Sequence, residues 1–163
     1  MKILTLWAVM LFAVSAQGQS VTEEINSQVW SKFIEGYNSF DTEKIMSVYS
    51  KDVVRVPIDE MKIFNFSEYR MHIHRENQFN KNYRIKANIE LRFTKRIHEK
   101  DEAFEQGVFK ITLRDNTGNP ATLYSKFQVY LKKEGSAWKI VYDSDNTEGG
   151  TVSEKDFAAA EPL

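Results

Sequence analysis

The polar and apolar positions of this chain follow two periods, mostly helical at first and two-residue later. From Val29 to Tyr37 the apolar residues Val29, Phe33, Ile34 and Tyr37 recur at helical spacing, with Trp30 beside them. Gly36 interrupts that face and implies close packing. Asn38 and Ser39 weaken the helix. Asp41 has the position and chemistry to cap a second, shorter one, whose apolar face is Ile45, Met46, Val48 and Tyr49, with Phe40 and Ile45 as staple partners. Val53-Val54-Arg55-Val56-Pro57 is β-branched and closes on proline, so a strand is expected there. Ile58-Asp59-Glu60 reads as a turn and Met61 to Phe64 as a short return strand. Asn65 and Glu68 have the spacing of a capping box, with Phe64 and Tyr69 as its staple. They predict a third helix over 66–80 that carries Phe66, Tyr69, Met71 and Ile73 inward.

From Tyr83 the period becomes two. Ile85, Ala87, Ile89, Leu91 and Phe93 alternate with charged and polar residues, which predicts a half-buried strand. Further strands are expected over 103–113, 122–133 and 138–145, separated by turns at 98–101, 115–120 and 134–136. Hairpin-linked strands of this kind form an antiparallel meander. Its apolar face needs a cover, and the three helices are the expected one. Ser20 and Glu23 suit a capping box for the first helix.

Composition narrows the reading. The chain has 163 residues, 42% hydrophobic and 28% charged, with a net charge of -1. That is one domain's length, and it offers no basic excess for nucleic-acid phosphates. Lys2 followed by the apolar stretch Ile3 to Val14 and small residues at Val14-Ser15-Ala16 has the form of a signal peptide over 1–18, cleaved after Ala16 or Gly18. No later stretch approaches the roughly 18 apolar residues of a membrane span. With no cysteine in the chain, no disulfide framework or lipid-bearing thiol is expected. The expected organisation is a signal peptide over 1–18, one domain over 19–146 and a tail over 147–163 with a short helix. The mature chain is expected outside the cytoplasm, soluble and off the membrane. The 11 Phe, 7 Tyr and 3 Trp suit either an aromatic core or a curved sheet closing on a cavity.

The segment FIEGYNSFDTEKIMSVYSKDVVRVP and the closing GSAWKIVYDSD strand resemble the nuclear transport factor 2-like superfamily over roughly Thr22 to Asp145. They are most similar to its secreted SnoaL-like bacterial members. The resemblance implies an α+β cone in which a strongly bent antiparallel sheet wraps three helices. It also implies a homodimer through the outer face of the meander, where Phe104, Tyr124 and Tyr130 would otherwise expose aromatic surface. The ketosteroid isomerase branch of this superfamily places a carboxylate base on the first strand and hydrogen-bond donors opposite it. Laid on this chain, the base position falls at Val56 or Pro57 and the helix tyrosine at Phe33; the second donor falls near Gln128. Isomerase-type residues are therefore missing.

Other candidate chemistry is sparse. His72 and His74 stand two apart on a helix and cannot share a metal, and His98 falls in a charged turn. Thus no metal or cofactor is expected. Polar anchors for a pocket are Tyr37, Arg55, Gln128 and Tyr142. Arg55 is the strongest if it faces inward, because a guanidinium grips a carboxylate through two hydrogen bonds. The expected function is binding of a small apolar or carboxylate-bearing molecule without catalysis. One alternative is a SnoaL-like cyclase, dehydratase or isomerase with His72 or Asp143 as base. Another is a structural dimerisation module whose cone is plugged by side chains. The tail from Asp143 to Asp156 has some spacing of a calcium loop, but a turn followed by a helix capped by Thr151 and Glu154 explains it more simply.

Overall fold

The computed structural model describes residues 21–163. The segment expected to be a signal peptide, and Ser20, lie outside the described residues. Helix covers residues 21–25, widens through a π-turn at Asn26–Trp30 and continues as α1 (Ser31–Ser39). α1 stops at Phe40, whose backbone turns left-handed (φ 54°), and α2 (Thr42–Met46) follows at once. Asp41 caps α2, accepting from the Lys44 N–H at 3.0 Å. Gly36 is required by this sharp corner: a Cβ there would lie 2.8 Å from the backbone nitrogen of Ile45.

β1 (Tyr49–Pro57) runs into a 3-10 turn at Ile58–Glu60. The expected return strand is reduced to a single antiparallel bridge between Arg55 and Phe64. α3 (Phe66–Asn82) starts with the expected capping box, Asn65 accepting from the Glu68 N–H at 3.0 Å and Glu68 from the Asn65 N–H at 2.9 Å. Tyr69 and Ile73 face the core, but Met71 is exposed. The buried Asn77 donates to Thr42 Oγ1 at 3.0 Å, tying α3 to α2.

β2 (Lys86–His98), β3 (Glu102–Arg114), β4 (Pro120–Glu134) and β5 (Ala137–Asn146) form the expected meander. The sheet has six strands in the order β1-β5-β4-β3-β2-β6. One pairing departs from the antiparallel expectation: β1 runs parallel to β5. The tail supplies α4 (Glu154–Ala158) and the two-residue β6 (Glu161–Pro162), which pairs with the edge of β2. Its capping box uses Ser153 and Asp156, two residues later than expected.

A register shift in β2 between Phe93 and Lys95 bends the sheet and moves the following residues to the other face. Gly107 sits opposite Phe93, where a Cβ would come within 2.0 Å of the Arg92 carbonyl. Beyond the bulge Ile97 becomes exposed, while Arg96 and His98 turn inward. His98 therefore lies on a strand with its side chain buried, in contrast to the exposed turn expected for it. Both residues meet the fully buried Glu105, which also accepts from Trp30 Nε1 at 2.7 Å. Arg96 also donates to Asn26 at 2.6 Å, and His98 shares a 3.1 Å contact with Thr22. Burial alone would raise the Glu105 carboxyl; the bonds from His98, Arg96 and Trp30 outweigh it and hold the group below its ordinary range. This ionic knot fastens the N-terminal helix across the concave face. Trp138, Ile25, Leu131 and Ile140 complete the core around it.

Candidate functional site

Between the helices and the concave face lies a cavity of about 250 Å³. Its wall is aromatic and aliphatic, with Phe33, Tyr37, Phe109 and Phe127 among its residues and Leu91 and Ile111 from the sheet. Alternation along β4 sends Ser125, Phe127 and Val129 inward. β1 and β5 supply the polar end. Arg55 pairs in register with Asp143, and Pro57 with Asp145, so all four side chains share the inner face.

Arg55 is the centre of that end, with only 8% of its surface exposed. Nη2 donates to Asp145 at 2.8 Å, and Nε faces Asp143 at 3.4 Å. Its Nε and Nη1, both buried, meet no acceptor in hydrogen-bonding geometry among the described residues. The Tyr69 ring lies under the guanidinium, 5.4 Å from its carbon. Asp143 also accepts from the Tyr49 hydroxyl at 2.7 Å. Asp59, Glu60, His72 and Glu76 stand around the same opening.

Burial shapes the electrostatics. Desolvation opposes the charge on Arg55, but Asp143, then Tyr69 and Asp145, outweigh it and hold the guanidinium charged. Desolvation pushes the Asp145 carboxyl above its ordinary range, against the pull of Arg55, and Asp143 and Asp59 add to the push. The Tyr49 hydroxyl is raised by burial and then by Asp143, and the Tyr37 hydroxyl by burial and then by Glu76.

Of the anchors expected from the sequence, Tyr37 and Arg55 line the cavity; Gln128 and Tyr142 do not. Gln128 has the parity opposite to Phe127 and Val129, and lies on the outer face within hydrogen-bonding distance of Gln106 (3.3 Å). Tyr142 stands across from Tyr130 on that same face, because β5 bulges between Ile140 and Tyr142. His72 and Asp143 both reach the cavity wall but are engaged separately. His72 Nε2 faces Glu76 at 3.3 Å and Glu60 at 3.7 Å, and its ring stacks on Phe64. His74 is exposed. Phe33 brings no hydroxyl to the cavity, and the buried hydroxyl nearby comes from Tyr49, a ring 6.5 Å away.

Sequence reasoning missed Tyr49 and Asp145. Its spacing places Tyr49 on the apolar face of a helix, whereas it opens β1. Asp145 carried a usable signal: residues two apart on a strand share a face, so Asp143 and Asp145 point the same way. In the tail, the calcium-like spacing is not a cluster. Asp143 and Asp145 face Arg55, while Asp156 accepts from the Ser153 N–H at 2.9 Å. No group of three or more His, Asp or Glu suited to a metal ion occurs among the described residues, and no helix there is long and apolar enough to cross a membrane.

The fold and cavity together define the class: an α+β cone with an internal pocket. No family model matches the chain, and no curated protein does either. Solved structures do. A conserved protein from Planctomyces limnophilus matches 77% of this chain and 94% of its own, with 15% identity and a TM-score of 0.63. A nuclear transport factor 2-like protein of unknown function from Shewanella oneidensis matches 76% and 97%, with 18% identity and a TM-score of 0.57. A ketosteroid isomerase-like protein from Erwinia carotovora matches 75% and 95%, with 12% identity and a TM-score of 0.55. This chain has the nuclear transport factor 2-like fold.

Proposed function

We propose that the chain is an exported small-molecule-binding protein that holds one mostly apolar ligand in its cone. The observation that carries the reading is the Arg55 guanidinium, buried with Nε and Nη1 unmatched at the wall of an aromatic cavity of about 250 Å³. A buried donor left unmatched costs about 1–3 kcal/mol, and a ligand oxygen would relieve it. The cavity is near the small end of ligand pockets, which run from about 300 Å³. An open cone also weighs against a plugged structural module. Export is the reading of the Met1–Gly18 segment.

The test is a thermal-shift screen with aromatic and aliphatic compounds. A ligand present at 100 times its dissociation constant stabilises the fold by about 2.7 kcal/mol. Leu123 lines the cavity mouth yet is 48% exposed, so Leu123→Trp fills the mouth without disturbing the core. The shift seen in the wild type is expected to disappear in that variant. A screen in which both proteins respond alike rules the pocket out.

One observation favours a second reading, acid–base catalysis in the same cone. Asp145, a carboxyl raised by burial, and the Tyr49–Asp143 pair are ionisable groups at the cavity wall. Turnover that collapses in Asp143→Asn, Asp145→Asn or His72→Ala would establish this reading over simple binding.

A further inference from the structure

The charges around Arg55 specify the ligand more closely than its burial does, given that the cone binds a small molecule at all. A guanidinium with a free edge offers a carboxylate two parallel N–H groups. On Arg55 one such edge is already turned to the partner strand: Nη2 donates to Asp145 at 2.8 Å and Nε lies 3.4 Å from Asp143. Nε and Nη1 are unmatched but buried. Two carboxylates stand against one guanidinium, so the buried group is already net negative. Asp59, Glu60 and Glu76 add further carboxylates at the same opening. Among the described residues that line the cavity, Arg55 is joined on the basic side by His72 alone, which is held between Glu60 and Glu76.

A ligand carboxylate would bring a third negative charge against Asp143 and Asp145 in a largely buried site. Like charges set together this way are strongly disfavoured. A neutral hydroxyl meets no such penalty. It donates its proton to a carboxylate oxygen of Asp143 or Asp145, both of which keep some exposed surface. We infer that the cone selects small aromatic or aliphatic alcohols and phenols and rejects the matching carboxylates, with Asp143 and Asp145 as the discriminating residues. The carboxylate-bearing ligand expected from Arg55 alone is thereby replaced. Arg55 does face inward, but the partner strand β5 brings its own acids to meet it.

The experiment is calorimetric titration of the full chain with matched alcohols, carboxylates and primary amines on phenylbutyl, naphthylethyl and cyclohexylbutyl skeletons. On at least one skeleton the alcohol should bind about tenfold or more tighter than the carboxylate. In Asp145→Asn that ratio should fall toward one, chiefly because the carboxylate gains; Asp143→Asn is the second variant with the same expected direction. A wild type that binds a carboxylate as tightly as its alcohol overturns the selection and leaves the binding reading standing. The same holds for an amine that binds tightest of the three. No binding by any compound at millimolar concentration overturns both.

Discussion

Gly107 and Glu105 show how far single residues set this structure. At Gly107 there is no room for a side chain, because the sheet bends there and the Arg92 carbonyl approaches from β2. Gly107→Ala is expected to destabilise the fold by about 1–3 kcal/mol, read as a lower urea midpoint. Glu105 is a buried charge with Arg96, His98 and Trp30 as partners, and removing one side of such a group costs about 3–5 kcal/mol. Its folded-state pKa lies below the ordinary carboxylate value of 4.5. It therefore contributes stability that is fully present above that value and is lost as pH falls through the folded pKa. Glu105→Gln should lower stability at neutral pH and flatten the loss below about pH 4.5. Equal acid sensitivity in the wild type and the variant would rule out this role.

At the scale of elements, the tail is the least expected part. Phe157 of α4 and Val152 bury against Val108, on the outer face of the sheet, with Tyr124 packed alongside. Arg92 lies 4.6 Å over the Phe157 ring, and the Tyr124 hydroxyl donates to Glu154. This small core is separate from the main one, and the path to it turns through Glu148, Gly149 and Gly150, all left-handed. Phe157→Ala is expected to cost about 3 kcal/mol, the low end for burying a phenyl ring. Hydrogen exchange should speed up in α4, β6 and the paired part of β2 while β4 and β5 stay protected. Exchange that rises evenly over the whole sheet would show that the tail is not a local unit.

At the scale of the whole molecule, the tail changes the dimer expected from the resemblance. Tyr124 is already covered by the chain's own Phe157, so a second copy has only the rest of the outer face, around Phe104 and Tyr130. A dimer seated there should weaken in Tyr130→Asp, measured by sedimentation equilibrium at micromolar protein. A wild type that stays monomeric throughout that range would show that the exposed outer face is insufficient on its own. Phe157→Ala would in that case be the variant to associate, since it uncovers Val108.

Most of the elements and their order are legible in the sequence. Local physics is enough for that: helical spacing in the first segment, caps at Asp41 and Asn65, and period two from Ile85 onward. It also singled out Arg55 and Tyr37, which share the cavity. What depends on pairing between distant strands emerges only in the folded chain. Bulges at Thr94 and Val141 switch strand parity, which turned His98 inward and Tyr142 outward. Parallel pairing of β1 with β5 brought Asp143 and Asp145 to Arg55, some 90 residues apart in sequence. A single strand's pattern says which residues alternate. The charge that an inward arginine finally presents is set by the neighbouring strand and its register.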